Sequence, residues 1–203
     1  MTLSALLTLA GLQALIAMSP GPAGVLTIKT AAAEGVKSGL LLSLGLALAI
    51  IVWAAGAMAG LSLIFEIAPY LQTALRLIGA AFLIWIGISL WRKASEPMPE
   101  ISAAHVKSPV ALVRLGLLTN LANPKALAYF AAVFTGIMPT DPTATDATII
   151  LSLIFAIEFV WYAILSLVFS RPAPRRAYAR AKGWLDRAFG GIVALLGAKI
   201  ATT

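Results

Sequence analysis

Residues 115–139 form an apolar run long enough to cross a bilayer, yet Asn123-Pro124-Lys125 stands halfway along it. A span needs about 20 apolar residues, and a Lys at the bilayer centre adds roughly 2.5–3.5 kcal/mol to the cost of insertion. Pro124 is a second disturbance, because it has no N–H and its ring crowds the carbonyl four residues back, that of Asn120. Backbone groups freed at that depth are tolerated only when buried in protein or lining a wet cavity. The segment therefore reads as a discontinuous helix at a solute site.

The rest of the chain fits a membrane setting. Of its 203 residues, 61% are hydrophobic and only 11% charged, with a mean hydropathy of +0.96. That leaves too little polar surface for a soluble globule. The net charge of +7 sits in short segments between apolar runs, which points to cytoplasmic loops and anionic lipid rather than nucleic acid. With no Cys, disulfides and thiolate metal sites are excluded, and His105 alone does not make a metal centre. Neither a metal nor a cofactor is expected. No P-loop pattern occurs, and an enzyme is not expected, for want of a Cys, a His in a span or an acid pair at one depth.

Taken in order, the first apolar run (residues 3–28) contains Ser19-Pro20-Gly21-Pro22, which predicts a break inside the membrane. No basic residue precedes it, unlike a cleaved signal peptide, so it reads as a retained span. Further runs cover residues 39–65, 70–91, 115–139, 147–169 and 183–201, the last weakened by Asp186, Arg187 and Lys199. Arg92 opens a polar segment containing Pro97, Pro99 and Pro109, and residues 171–182 form a strongly basic link. The expected architecture is an all-α membrane protein of six transmembrane helices, built as two inverted three-helix repeats with the first helix of each broken. Residues 1–93 are the first repeat, 94–109 a cytoplasmic loop and 110–203 the second repeat. Arg76-Leu77-Ile78-Gly79-Ala80 echoes Arg187-Ala188-Phe189-Gly190-Gly191, and Trp53 echoes Trp161. Lys29, Lys37, Arg92, Lys93, Lys107, Arg114 and the basic link all fall on one side, while the second and fourth links carry no cation. The positive-inside rule puts that side in the cytoplasm and both termini outside.

Each residue that stands out has a functional and a plainer reading. Lys125 would meet a substrate carboxylate, or else snorkel about 15 Å to an interface. Glu158, the one acid well inside a run, would carry a coupling proton or form a fixed ion pair with Lys125. Trp161 and Tyr162 follow Glu158 on its helical face and either line a site or fill the core. Asn120 and Asn123 would bind solute or satisfy carbonyls freed by Pro124. Arg76 would gate the path or snorkel. Pro20, Gly21, Pro22 and Pro124 would shape the site through exposed backbone. The Gly35/Gly39 and Gly56/Gly60 spacings read as internal close packing, and a homo-oligomer stays open.

These motifs resemble the LysE-type (RhtB-type) amino-acid exporters along essentially the whole chain. The carriers are Ser19-Pro20-Gly21-Pro22, Gly35-Val36-Lys37-Ser38-Gly39, Leu77-Ile78-Gly79-Ala80-Ala81-Phe82-Leu83, and Leu118-Thr119-Asn120-Leu121-Ala122-Asn123-Pro124-Lys125-Ala126. Trp161 and the Gly190, Gly191 and Gly197 stretch fit as well. The resemblance implies secondary-active, gradient-driven export of amino acids or small derivatives across the cytoplasmic membrane. One departure is Ala23, where such proteins often carry Asn or Asp, and it implies a more apolar substrate. The alternative from another class is a passive pore or channel, in which Lys125 sets ion preference and nothing is coupled.

Overall fold

The computed structural model describes residues 2–67, 70–96, 108–123, 125–126, 129–130 and 142–202. The side chains of 59–67, 70–72, 75, 76, 79, 82, 175, 179, 196 and 200 lie outside that description. All regular structure among the described residues is α-helical. The helices are α1 (Leu3–Met18), α2 (Pro22–Glu34), α3 (Val36–Ile67), α4 (Tyr70–Lys93), α5 (Pro109–Leu121), α6 (Ala144–Phe169) and α7 (Pro172–Thr202). By length and composition, α3 over Val36–Met58 and α6 are long and apolar enough to cross a membrane. The pair α1 and α2 meets the same test when taken together, bent by 60°, and is either a broken third span or a re-entrant loop.

That bend lies where the sequence predicts it. Ser19 N makes the last bond of α1, 3.0 Å to Leu15 O, and Pro20 has no N–H with which to continue. Gly21 is extended, and Pro22 opens α2 at a position where a missing N–H loses nothing. At the far end of α2, Gly35 turns the chain with φ at +88°, a conformation that L side chains rarely adopt. Gly35 and Gly56 therefore correct the packing expectation: no atom lies within 4 Å of a Cβ placed on either, so one is a turn and the other faces open space. Gly39 does pack, since its Cβ would lie 2.6 Å from Ser166 Oγ. Gly60 lies outside the described side chains.

Three helix starts precede the apolar runs, each for a local reason. Ser108 caps α5 by accepting from Ala111 N, and Pro109 takes the first helical position. Thr143 and Asp146 form a reciprocal capping box that starts α6 at Ala144. The basic link 171–182 is a correction, because it is helical and continuous with the last apolar run over Pro172–Thr202. Both of its prolines lie in the first turn, and the Arg, Ala and Lys that follow are good helix formers.

The two halves of the chain interlock. Broken α1–α2 lies on α6, α5 lies on α3, and α4 pairs with α7. Glycines set these approaches, in that a Cβ on Gly45 would overlap Val113 O and one on Gly116 would overlap Leu42 O. Between α4 and α7, a Cβ on Gly190 would come within 2.7 Å of Gly87 O. Two apolar clusters result, one around Leu9, Ile50, Leu83 and Ile154, the other around Ala23, Leu42, Leu46 and Leu165. Large apolar side chains such as Val52, Trp85, Val160 and Leu195 face outward, as a lipid-facing surface requires.

Gly116→Ala and Gly45→Ala should each destabilise the protein by about 1–3 kcal/mol through overpacking, read as a lower melting temperature in detergent. Gly11→Ala and Gly56→Ala, where a Cβ meets nothing within 4 Å, should leave it unchanged or higher.

Candidate functional site

Lys125 is 7% exposed, so its ammonium does not reach an interface. It is buried against the C-terminal end of α1, where Nζ donates to Ile16 O at 2.9 Å, Ser19 O at 2.9 Å and Ser19 Oγ at 3.0 Å. Those three acceptors use all three ammonium protons. They also place a cation at a helix C-terminus, where the helix dipole favours one. Gly21 adjoins the cation, a Cβ there falling 3.4 Å from Nζ, an ordinary contact distance.

The second break is closed by amides. Asn123 Oδ1 accepts from Lys125 N at 3.0 Å, as an N-cap side chain does. Asn120 Nδ2 donates to Leu46 O at 2.9 Å and to Glu158 Oε1 at 3.2 Å, while its Oδ1 accepts from Asn123 Nδ2 at 3.2 Å. The Asn120 carbonyl, four residues before Pro124, accepts from the Trp53 indole N–H at 3.3 Å and from Asn123 N at 3.2 Å. The Trp53 indole and the Asn123 backbone N–H thus satisfy the carbonyl that the proline frees, while the Asn120 and Asn123 side chains bond Leu46 O, Glu158, Lys125 N and one another.

Glu158 is 3% exposed on α6. Its second oxygen accepts from Gln13 Nε2 at 2.9 Å, so one amide from each broken segment holds the carboxyl group. Among the described residues Lys182 and Asp186 form an ion pair at 2.6 Å, and none joins Lys125 to Glu158 within 4.0 Å. The fixed-pair reading therefore lacks its contact. Instead both groups line one cavity, together with Asn120, Asn123, Tyr129 and Tyr162. Its volume is about 10 Å³, room for about one water molecule.

The remaining expected site residues fall into place around this arrangement. Pro20 and Gly21 are half-buried at the first break, and Pro22 is exposed. Tyr162 lines the cavity, whereas Trp161 packs against the apolar cluster of Ala23, Leu42 and Leu46. Ala23 is buried in that cluster and adds no polar group. Pro124 and the side chain of Arg76 lie outside the described residues, although Arg76 is on α4. Two residues escaped the sequence reading: Gln13, a lone amide in the first run that bonds Glu158, and Tyr129, a cavity-wall residue four positions past Lys125. Each carried a signal, a polar group among apolar neighbours, but only the fold shows which residues they meet.

The profile of the LysE type translocator family matches residues 14–203. The chain belongs to that family. A threonine efflux protein of Escherichia coli K12 is 34% identical over 197 residues, covering 94% of each chain. A homoserine/homoserine lactone efflux protein of Salmonella typhi is 29% identical, over 93% of this chain and 91% of its own. A leucine efflux protein of an Enterobacter species is 25% identical, over 89% and 85%. No solved structure matches the chain.

Asn120→Ala would leave Glu158 with one amide donor and Leu46 O without this partner, so it should cost about 2–4 kcal/mol of stability. Trp53→Phe, which removes one of the bonds to the Asn120 carbonyl, should cost about 1 kcal/mol by the same melting assay.

Proposed function

We propose that this LysE-type translocator is a secondary-active exporter of amino acids or small amino-acid derivatives, working in the cytoplasmic membrane. The observation that carries the reading is a buried Lys and a buried Glu on the walls of one cavity without a direct ion pair. Such a pair of poles matches a zwitterion, with Lys125 drawing the carboxylate and Glu158 facing the ammonium. The relatives' efflux of threonine, leucine and homoserine supports a small amino acid as cargo.

The working arrangement is six spans in two inverted repeats, residues 1–93 and 110–203, joined by a cytoplasmic loop over 94–109, with both termini outside. In support, the broken element of each half lies on the long second helix of the other half, and the two third helices pair. Rocking of one half against the other would open the cavity to alternate sides. Pro20, Gly21 and Pro22 on one side and Asn123 to Lys125 on the other would frame the substrate, with Tyr162 at its side. Trp161 would shape the wall from behind, and Arg76 would act as a gate. Glu158 would carry the coupling proton. A passive pore would need no titratable acid at its centre, and the buried Glu158 favours a carrier.

Lys125→Ala should lower the melting temperature but still insert in the membrane, and abolish efflux of labelled amino acid per inserted molecule; full efflux by that variant would overturn the substrate assignment. Glu158→Gln should stop uphill export in proteoliposomes under an imposed proton gradient but leave downhill exchange. Uphill export equal to wild type would remove Glu158 from the coupling step.

A further inference from the structure

A cavity of about 10 Å³ has to widen before an amino acid can enter it, and the hydrogen bonds show which helix contacts can part. Lys125 donates to carbonyls at the first break, and Asn120 donates both to Leu46 O on α3 and to Glu158 on α6. Separating those elements would strand buried polar groups. The seam where α2 covers α3 and α6 is different. Thr27 on α2 donates to Ala23 O at 2.8 Å, Ser43 on α3 to Gly39 O at 2.7 Å and Ser166 on α6 to Tyr162 O at 2.8 Å. Each of these buried hydroxyls bonds the carbonyl four residues back in its own helix, so moving α2 off the seam leaves all three with a partner. The 3.3 Å contact between the Ser43 and Ser166 hydroxyls joins α3 to α6 and does not involve α2.

The seam also leads out of the cavity. Tyr162 stands both in the cavity wall and in the apolar cluster with Ala23, Leu42, Leu46 and Leu165. From that cluster α2 runs on to Gly35 and Lys37, and α6 to Phe169 and Arg171, so the seam ends on the face of the basic links. Small residues make the α2 contact. Ala23, Thr27 and Ala31 are buried one turn apart, and a Cβ on Gly39 would lie 3.0 Å from Ala31 Cβ and 2.7 Å from Ser166 Cβ. Both ends of α2 are joints: Pro20 and Gly21 interrupt the helix before it, and Gly35, with φ at +88°, follows it. Hinge motion is absorbed by a few such residues at element ends. We infer that α2 is the gate on the basic-link face, turning about Pro20–Gly21 and Gly35 away from an α3–α6 pair that stays together, so that cargo reaches the cavity past Thr27, Ser43 and Ser166. This rests on the exporter reading and narrows its rocking motion, on this face, to one helix.

The chain has no Cys, so introduced thiols report without background. Ala31→Cys with Ser166→Cys ties α2 to α6, and Ser43→Cys with Ser166→Cys ties α3 to α6, each pair joined by oxidation or by a thiol-specific reagent with a one-carbon spacer. Efflux of labelled L-threonine, L-leucine and L-homoserine from proteoliposomes is compared for each protein, cross-linked and reduced. The first cross-link should lower the rate about tenfold or more, reversibly on reduction, and the second should leave it within about twofold. An α2–α6 cross-link without effect overturns the inference, as does an α3–α6 cross-link that stops transport or a first pair that never cross-links. Accessibility gives an independent readout. Thr27→Cys should react with a charged methanethiosulfonate during turnover, whereas Ala80→Cys, equally buried between α4 and α7, should not. Reaction at both positions or at neither overturns the inference. Wild-type vesicles that move none of the three amino acids sink the exporter reading and the gate with it. Wild-type efflux with an inert α2–α6 cross-link sinks the gate alone.

Discussion

A buried ammonium on the carbonyls that end α1 is the contact on which this structure depends. Breaking the first span at Ser19-Pro20 strips partners from the last carbonyls of α1, and placing Lys125 at a second break buries a cation. Each fault would be expensive alone, because freed backbone and unpaired charge both lose hydration without compensation. Together they satisfy one another. The two breaks therefore must face each other across the molecule, and that requirement orders the helices around them.

Small residues make the meeting possible. The Gly45 and Gly116 approach brings α5 close enough for Asn120 to reach Leu46 O. From there Asn120 joins the second break to Glu158, and Gln13 joins α1 to the same carboxyl group. Charge, amide and proline are thus parts of one network rather than separate features. The cavity wall is shared by four parts of the chain, α1, α3, the second break and α6, so relative movement of any of them changes the environment of Glu158 and Lys125 together.

Much of this was legible in the sequence. Proline and charge are rare in apolar runs, so Ser19-Pro20-Gly21-Pro22, Asn123-Pro124-Lys125 and Glu158 marked both breaks and the two charged groups that line one cavity. The Pro124 argument led to the Asn120 carbonyl, but which group would satisfy it did not follow, because Trp53 comes from a helix far away in the chain. Gln13 and Tyr129 were passed over for the same reason, as a single polar residue in an apolar run has no local pattern to mark its partner. The basic link read as a loop because prolines and charges opened it, yet two prolines in a first turn do not oppose a helix.

By itself, the sequence determined a polytopic helical chain with paired discontinuities and one cation and one acid at their depth, since periodicity, proline chemistry and insertion energy act within a few residues. Only the tertiary structure decided that Lys125 rests on α1 carbonyls rather than on Glu158, and that amides from both breaks hold that acid. Hydrogen-bond partners drawn from distant helices depend on how those helices approach. Here glycine contacts, legible as spacings but not as pairings, set that approach.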